Sequence, residues 1–123
     1  MILQNLPDIK NQLSTKELFD AFKSQLARDF EQANFSSDFV AALEPDYDDI
    51  HNKIANELQR SEKGIGFTVM PLLYRIDISE TQLKKYITEN KNKNHVQVIA
   101  ELIIKRVLQK VVTKHYYKTN QNI

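Results

Sequence analysis

The segment PLLYRIDISE, residues 71 to 80, decides between two fold classes for this chain. Its part from Leu73 to Ile78 alternates apolar and polar residues with a period close to two, which is typical of a half-buried strand. No other segment alternates in this way, and a lone strand would leave backbone groups unpaired wherever it was buried. On a helical wheel the apolar residues fall on one side and Arg75 points nearly opposite; they are Val69, Leu72, Leu73 and Ile76. We therefore predict a helix.

The ends of that helix are also predicted from the sequence. A start between Thr68 and Met70 places Pro71 in the first turn, where its missing N–H is tolerated. Ser79 to Gln82 has the spacing of a capping box, so a second helix begins there. The segment becomes a corner between two helices, at which Arg75 is expected to form an ion pair with the acidic half of the chain and to orient the helices.

The other periodicities of the chain are helical as well. Ser14 to Glu17 also has capping-box spacing, and it precedes an apolar stripe formed by Leu18, Phe19, Phe22, Leu26, Phe30 and Ala33. The charged residues of this helix are expected to lie mostly off that stripe: Lys16, Lys23, Arg28, Asp29 and Glu31. A further helix is predicted to carry Pro45 in its first turn and to end near Lys63, with Gly64 just beyond it.

The longest predicted helix runs from about His95 to Tyr117. Apolar residues fill about half of its circumference, which indicates a central position in a bundle: Val96, Ile99, Ala100, Ile103, Ile104, Val107, Leu108 and Val111. With 123 residues, 41% of them hydrophobic, the chain can bury one core. We predict an all-α, single-domain helical bundle of five to seven helices over residues 1–123, with a flexible tail at about 119–123.

Charge is unevenly distributed along the chain, although the net charge is only +1. Residues 1–63 contain seven Lys/Arg and twelve Asp/Glu, a net charge of −5, whereas residues 64–123 contain ten and four, a net charge of +6. Two interpretations stay open: the halves neutralise each other within the fold, or a basic face is exposed for an acidic partner.

Two groups of residues carry a resemblance to a known family. The motif LLYRIDISE at 72–80, followed by IAELII at 99–104 and by Gln109 and Lys110, resembles a family of short bacterial proteins with no assigned activity. The resemblance implies an all-helical fold and brings no cofactor or catalytic residue with it. Pro71, directly ahead of the motif, departs from the family pattern.

Several chemistries lack the residues they need. The chain has no cysteine, which excludes disulfides, thiolate metal sites and cysteine nucleophiles. Asp46, Asp48, Asp49 and His51 could gather oxygen and nitrogen ligands, but they lack the order of a calcium loop and fit a helix start better. We predict no metal, no cofactor and no catalytic residue. The N-terminus lacks the pattern of a signal peptide and no apolar run could span a bilayer, so a cytoplasmic protein without membrane contact is expected.

The best candidate surface lies at the end of the last helix. Lys110, Lys114 and Lys118 continue its apolar arc, and Tyr116 and Tyr117 lie between them. We predict a non-catalytic protein–protein interaction or adaptor module that uses these five residues to bind an unknown protein partner or a second copy as a homodimer. The alternative is weak, non-sequence-specific nucleic-acid binding through the basic C-terminal half.

Overall fold

A computed structural model describes residues 6–61 and 69–121 of the chain. These residues form six α-helices and one 3₁₀ helix, and no strand. In chain order the elements are α1 (Leu6–Leu13), α2 (Lys16–Gln32), the 3₁₀ helix (Asp38–Ala42), α3 (Tyr47–Arg60), α4 (Met70–Arg75), α5 (Glu80–Glu89) and α6 (His95–Gln121). The predicted all-α bundle is confirmed.

Residues 71 to 80 form a corner between α4 and α5. Pro71 lies in the first turn of α4, as predicted. The helix ends when Asp77 adopts a positive φ of 67°. The Ile78 N–H then donates to the Leu73 carbonyl at 2.8 Å and the Asp77 N–H to the Tyr74 carbonyl at 3.1 Å. This pair of bonds is the Schellman motif, which closes a helix by satisfying its last carbonyls.

The strand-like alternation of this segment has a simple cause. Leu73, Ile76 and Ile78 are buried, whereas Arg75 and Asp77 are exposed. Helical spacing accounts for the first two of the buried residues, and the reversal at Asp77 returns Ile78 to the core. A period near two therefore arises where a helix meets its cap.

One of the two predicted capping boxes is confirmed and the other is wrong. At the start of α5, the Gln82 N–H donates to Ser79 Oγ at 3.1 Å and the Ser79 N–H donates to Gln82 Oε1 at 2.9 Å. At the start of α2, Thr15 occupies the cap position and makes no side-chain cap bond. The Ser14 hydroxyl instead donates to the Asn11 carbonyl at 2.7 Å. Because α1 ends directly before Ser14, that hydroxyl satisfies the preceding helix.

The boundaries of α3 also differ from the prediction. Asp46 is the N-cap, with its Oδ2 accepting the Asp49 N–H at 3.0 Å, so Pro45 precedes the cap and does not lie in the first turn. Asp46 is suited to the cap position because its carboxylate accepts a backbone N–H of the first turn, whereas a proline side chain has no acceptor. The described helix ends at Arg60. The predicted end near Lys63 and Gly64 lies outside the described residues.

Helix α6 is the centre of the bundle. It packs against α2, α3 and α5, while α1 contacts α2 and α3, and α4 contacts α2. All eight residues of its predicted apolar arc are buried, and Val98 and Leu102 are buried as well. The helix continues to Gln121, beyond the predicted end at Tyr117. No helix within the described ranges is both long and apolar enough to cross a membrane.

Candidate functional site

A polar cluster centred on a buried carboxylate joins α6 to α2 and α4. Lys110 Nζ lies 3.5 Å from Asp29 Oδ2 and donates to the Arg75 carbonyl oxygen at 3.3 Å. The side chain of Lys110 is 19% exposed and that of Asp29 only 2%. Gln25 Nε2 donates to the other Asp29 oxygen at 3.0 Å, and Lys114 Nζ donates to Gln25 Oε1 at 3.2 Å. We call Gln25, Asp29, Lys110 and Lys114 the Asp29 cluster.

The burial of Asp29 corrects the expectation that it lies off the apolar stripe of α2. It follows Phe22 and Gln25 at helical spacing, so it faces α6 with them. A buried carboxylate needs a cation or several hydrogen bonds. Lys110 and Gln25 supply both, and Lys110 at the same time neutralises the C-terminal end of α4.

Arg75 reaches the acidic half of the chain, as expected, but its recorded partner there is neutral. Its Nη2 donates to Gln32 Oε1, at the last residue of α2. Within the described residues the predicted ion pair with a carboxylate is not found. Arg75 nevertheless orients two helices, because its side chain binds α2 while its carbonyl oxygen binds Lys110 of α6.

The predicted interaction surface separates into an inner and an outer part. Lys110 belongs to the inner part, inside the Asp29 cluster. Tyr116 and Tyr117 are 65% and 61% exposed, with their ring centroids 6.3 Å apart in an edge-to-face arrangement. Lys114 is exposed although it donates to Gln25. The side chain of Lys118 lies outside the described residues.

An open groove runs between α2 and α6 beside this surface. Its volume is about 310 Å³, and it is lined by Glu17, Ala21, Ser24, Gln25, Arg28, Val111, Lys114 and His115. His115 Nδ1 lies 3.4 Å from Glu17 Oε1. Small residues on α2 leave the groove open, and side chains of both charge signs form its rim.

The ion pairs bear on whether the acidic and basic halves neutralise each other within the fold or leave a basic face exposed. Two pairs link the acidic and basic halves, Asp29 with Lys110 and Glu17 with His115, and the latter is ionic only when the histidine is protonated. The other ion pairs of the described chain lie within one half: Lys16–Asp20, Lys53–Asp49, Arg60–Glu57, Lys84–Glu80, Lys93–Glu101 and Lys105–Glu101. The ion pairs between the halves thus lie at the junction of α2 with α6, and the other six lie within one half.

A second polar cluster holds α5 against α6. The Tyr86 hydroxyl donates to Glu101 Oε1 at 2.6 Å and accepts from Lys105 Nζ at 2.6 Å. Lys93 and Lys105 lie 3.1 Å and 3.2 Å from the Glu101 carboxylate. Glu101 was not predicted as a site residue from the sequence. Its position four residues before Lys105 was a signal for that pair, but nothing local indicated Tyr86 or Lys93.

The titration of this second cluster follows from its contacts. Burial by itself would raise the pKa of the Glu101 carboxyl, but hydrogen bonds from Tyr86, Lys93 and Lys105 outweigh it and the pKa is lowered. Burial, followed by the hydrogen bond to Glu101, raises the pKa of Tyr86. At neutral pH the carboxylate is therefore ionised and the phenol is neutral.

We predict that Glu101→Gln lowers the free energy of unfolding by about 1–2 kcal/mol at pH 7, because three donors lose a charged acceptor. The folded-state pKa of Glu101 is depressed. Its contribution to the free energy of unfolding is therefore present above the unfolded-state pKa and is lost as the pH falls through the folded-state pKa. Urea unfolding at pH 7 and pH 3 measures this. A difference between variant and wild type that stays constant down to pH 3 contradicts the assignment.

The acidic residues at the start of α3 have structural roles. Asp46 is the helix cap, and Asp49 Oδ2 accepts the Glu44 N–H at 2.9 Å and lies 3.0 Å from Lys53 Nζ. These contacts, the backbone bond first, lower the pKa of Asp49. His51 Nε2 lies 3.0 Å from the Gln97 carbonyl oxygen. In the part of the chain that the structure describes, no group of three or more His, Asp or Glu side chains is placed to hold a metal ion.

Comparison of the chain with protein-family models, with curated proteins and with solved structures found no match, so no function is transferred from a relative.

Proposed function

We propose that this protein is a non-catalytic interaction module that binds another protein through the C-terminal end of α6. The observation that carries the proposal is the exposure of Tyr116 and Tyr117, both above 60% and adjacent in sequence, beside the open groove between α2 and α6. Large aromatic side chains favour burial, and tyrosine is enriched among the residues that dominate binding energy at protein interfaces.

The position of these tyrosines supports a binding role. They lie on the central helix, whose orientation is fixed by packing against α2 and α3 and by the Asp29 cluster. A rigid helix loses little backbone freedom on binding, so only the side chains have to be ordered. Lys114 adds an exposed cation next to them, whereas Lys110 serves to hold α6 in place. The predicted surface therefore keeps Lys114, Tyr116 and Tyr117 as binding residues.

The partner in this proposal is a cytoplasmic protein or a second copy of the chain. No cofactor is required, because binding would depend on the aromatic rings and the neighbouring cations alone. Self-association is the simpler case to measure, since it needs no second component.

We expect the double variant Tyr116→Ser with Tyr117→Ser to weaken partner binding by about 30-fold or more, since each such tyrosine contributes more than about 1 kcal/mol. The matched control is Tyr74→Ser, which removes a ring of similar exposure, 62%, from α4. Capture of proteins from the native cell extract on immobilised chain, together with sedimentation equilibrium for self-association, measures the effect.

The outcomes of that experiment are distinct. Proteins or dimers retained by wild type and by Tyr74→Ser, but lost with the tyrosine pair, support the proposal. Retention of the same proteins and the same mass by all three chains removes it.

Nucleic-acid binding is the second candidate, and the ion pairs argue against it. Among the described lysines of the basic half, Lys84, Lys93, Lys105 and Lys110 each lie within ion-pair distance of a carboxylate. Phosphate groups would have to compete with these carboxylates for the lysines. Affinity for nucleic acid depends on how many phosphates the protein's lysines and arginines neutralise. We expect no retardation of single-stranded RNA or double-stranded DNA at about 50 mM salt. Retardation that is lost with Lys114→Glu and Lys118→Glu would favour nucleic acid over protein.

A further inference from the structure

A second groove lies between α5 and α6, distinct from the one beside α2. Its volume is about 220 Å³. Ile78 and Leu102, which are 1% and 4% exposed, contribute apolar surface, and the other lining residues are Gln82, Lys85, Tyr86, Glu89 and Arg106. It is a concave surface with apolar walls and charged groups at its rim.

The groove exists because α5 packs incompletely. This helix buries none of its residues fully, although Leu83, Tyr86 and Ile87 are partly buried. The second polar cluster holds α5 to α6 through the hydroxyl of Tyr86, at the tip of a long side chain. A long hydrogen-bonded side chain keeps the helices linked while space remains between them.

The charges at the rim favour an anion. Lys85 and Arg106 are cationic and Glu89 is anionic, so the groove has a net positive charge. Arg106 is partly buried and donates from Nη1 to Gln109 Oε1. A guanidinium carries five N–H donors in a planar fork, so one such side chain can serve several acceptors at once.

The size and lining of the groove restrict the ligand further. A cavity of about 150 Å³ lined by aliphatic side chains accepts benzene, so this groove has room for one aromatic ring with a small substituent. A neutral aromatic ring would contact the apolar walls but would make no ionic contact with Lys85 or Arg106. An inorganic anion would meet the charges and leave the apolar walls in water.

We propose that the groove between α5 and α6 binds a small aromatic carboxylate. The ring packs against Ile78 and Leu102, and the carboxylate faces Lys85 and Arg106. The ligand supplies apolar contact that α5 lacks in the structure. Occupancy therefore slows hydrogen exchange of the α5 amides. This site is independent of the tyrosine surface at the end of α6.

The test uses sodium benzoate as the probe, in a ¹H–¹⁵N NMR titration of the intact chain. We expect saturable shifts at amides of residues 78–89 and 102–106, with a dissociation constant on the order of 1 mM for a ligand of this size. Benzamide, which keeps the ring without the charge, and acetate, which keeps the charge without the ring, should each bind about tenfold more weakly or not at all.

Three variants make the test specific. Lys85→Gln, at an exposed position, weakens benzoate binding by about two- to fivefold, and Glu89→Gln strengthens it by a similar factor. Leu102→Phe fills the groove and abolishes the shifts, with a thermal melt confirming that the variant is folded. Absence of saturable shifts at 20 mM benzoate overturns the proposal, and so does equal binding of benzoate and benzamide or insensitivity to both charge variants.

Discussion

Replacing Lys110 with Met is expected to lower the free energy of unfolding by about 2–3 kcal/mol. The substitution keeps an unbranched chain of similar length, so the packing of α6 is preserved, but it leaves Asp29 without its cation at 2% exposure. Removing one partner of a fully buried pair costs about 3–5 kcal/mol, and the smaller value applies because Lys110 remains 19% exposed.

A double-mutant cycle separates the charge from the packing. Asp29→Leu together with Lys110→Met should recover most of the stability, because an apolar pair of similar volume needs no compensation for burial. Chemical denaturation at constant pH measures all four chains. A loss below about 0.5 kcal/mol for Lys110→Met, or a double variant as unstable as the sum of the single variants, would show that the pair does not hold α6 to α2.

Asp77→Val should destabilise the protein by about 2 kcal/mol. Asp77 has a φ of 67°, which a short polar side chain tolerates and a β-branched one does not. Strain at this position weakens the two hydrogen bonds that close the C-terminal end of α4. The same bonds hold Ile78 in the core, so its packing is weakened as well.

The matched substitution at the same position is Asp77→Gly. Glycine adopts positive φ without steric cost, so this variant should equal the wild type or exceed it by up to about 1 kcal/mol. Thermal and denaturant unfolding compare the two. Equal free energies of unfolding for Asp77→Val and Asp77→Gly would contradict a positive φ at this residue.

The sequence contained the signal for the Asp29 cluster, although only half of it was interpreted. Lys110 interrupts an apolar arc on α6, and the sequence pattern places it with Lys114 and Lys118 on the candidate surface. Asp29 interrupts the apolar stripe on α2 at helical spacing in the same way. Opposite charges at core positions of two helices predict a buried pair, since neither is stable there alone.

Other features were beyond prediction from local pattern. Whether Ser14 caps the helix after it or the one before it depends on where α1 ends, and both choices satisfy the hydroxyl. Tyr86, Lys93 and Glu101 come together only through the angle between α5 and α6, which periodicity does not determine. By contrast, the Ser79 cap and the burial of the α6 arc follow from spacing alone, and both were predicted.

The Asp29 cluster also connects the fold to the proposed function. Lys110 lies about two turns before the exposed tyrosines on the same helix, so the pair that fixes α6 also fixes the direction in which Tyr116 and Tyr117 are presented. Arg75 contributes to the same junction through its carbonyl oxygen. The corner at residues 71 to 80 is thus part of the support for the candidate surface.

The most direct test of this account is the backbone conformation of that corner in solution. Carbon chemical shifts and amide-to-α-proton couplings across residues 70–82 report φ and ψ residue by residue. The predicted result is helical values from Met70 to Arg75, a positive φ at Asp77 and helical values again from Glu80. Extended values from Leu73 to Ile78, with cross-strand proton contacts, would contradict it.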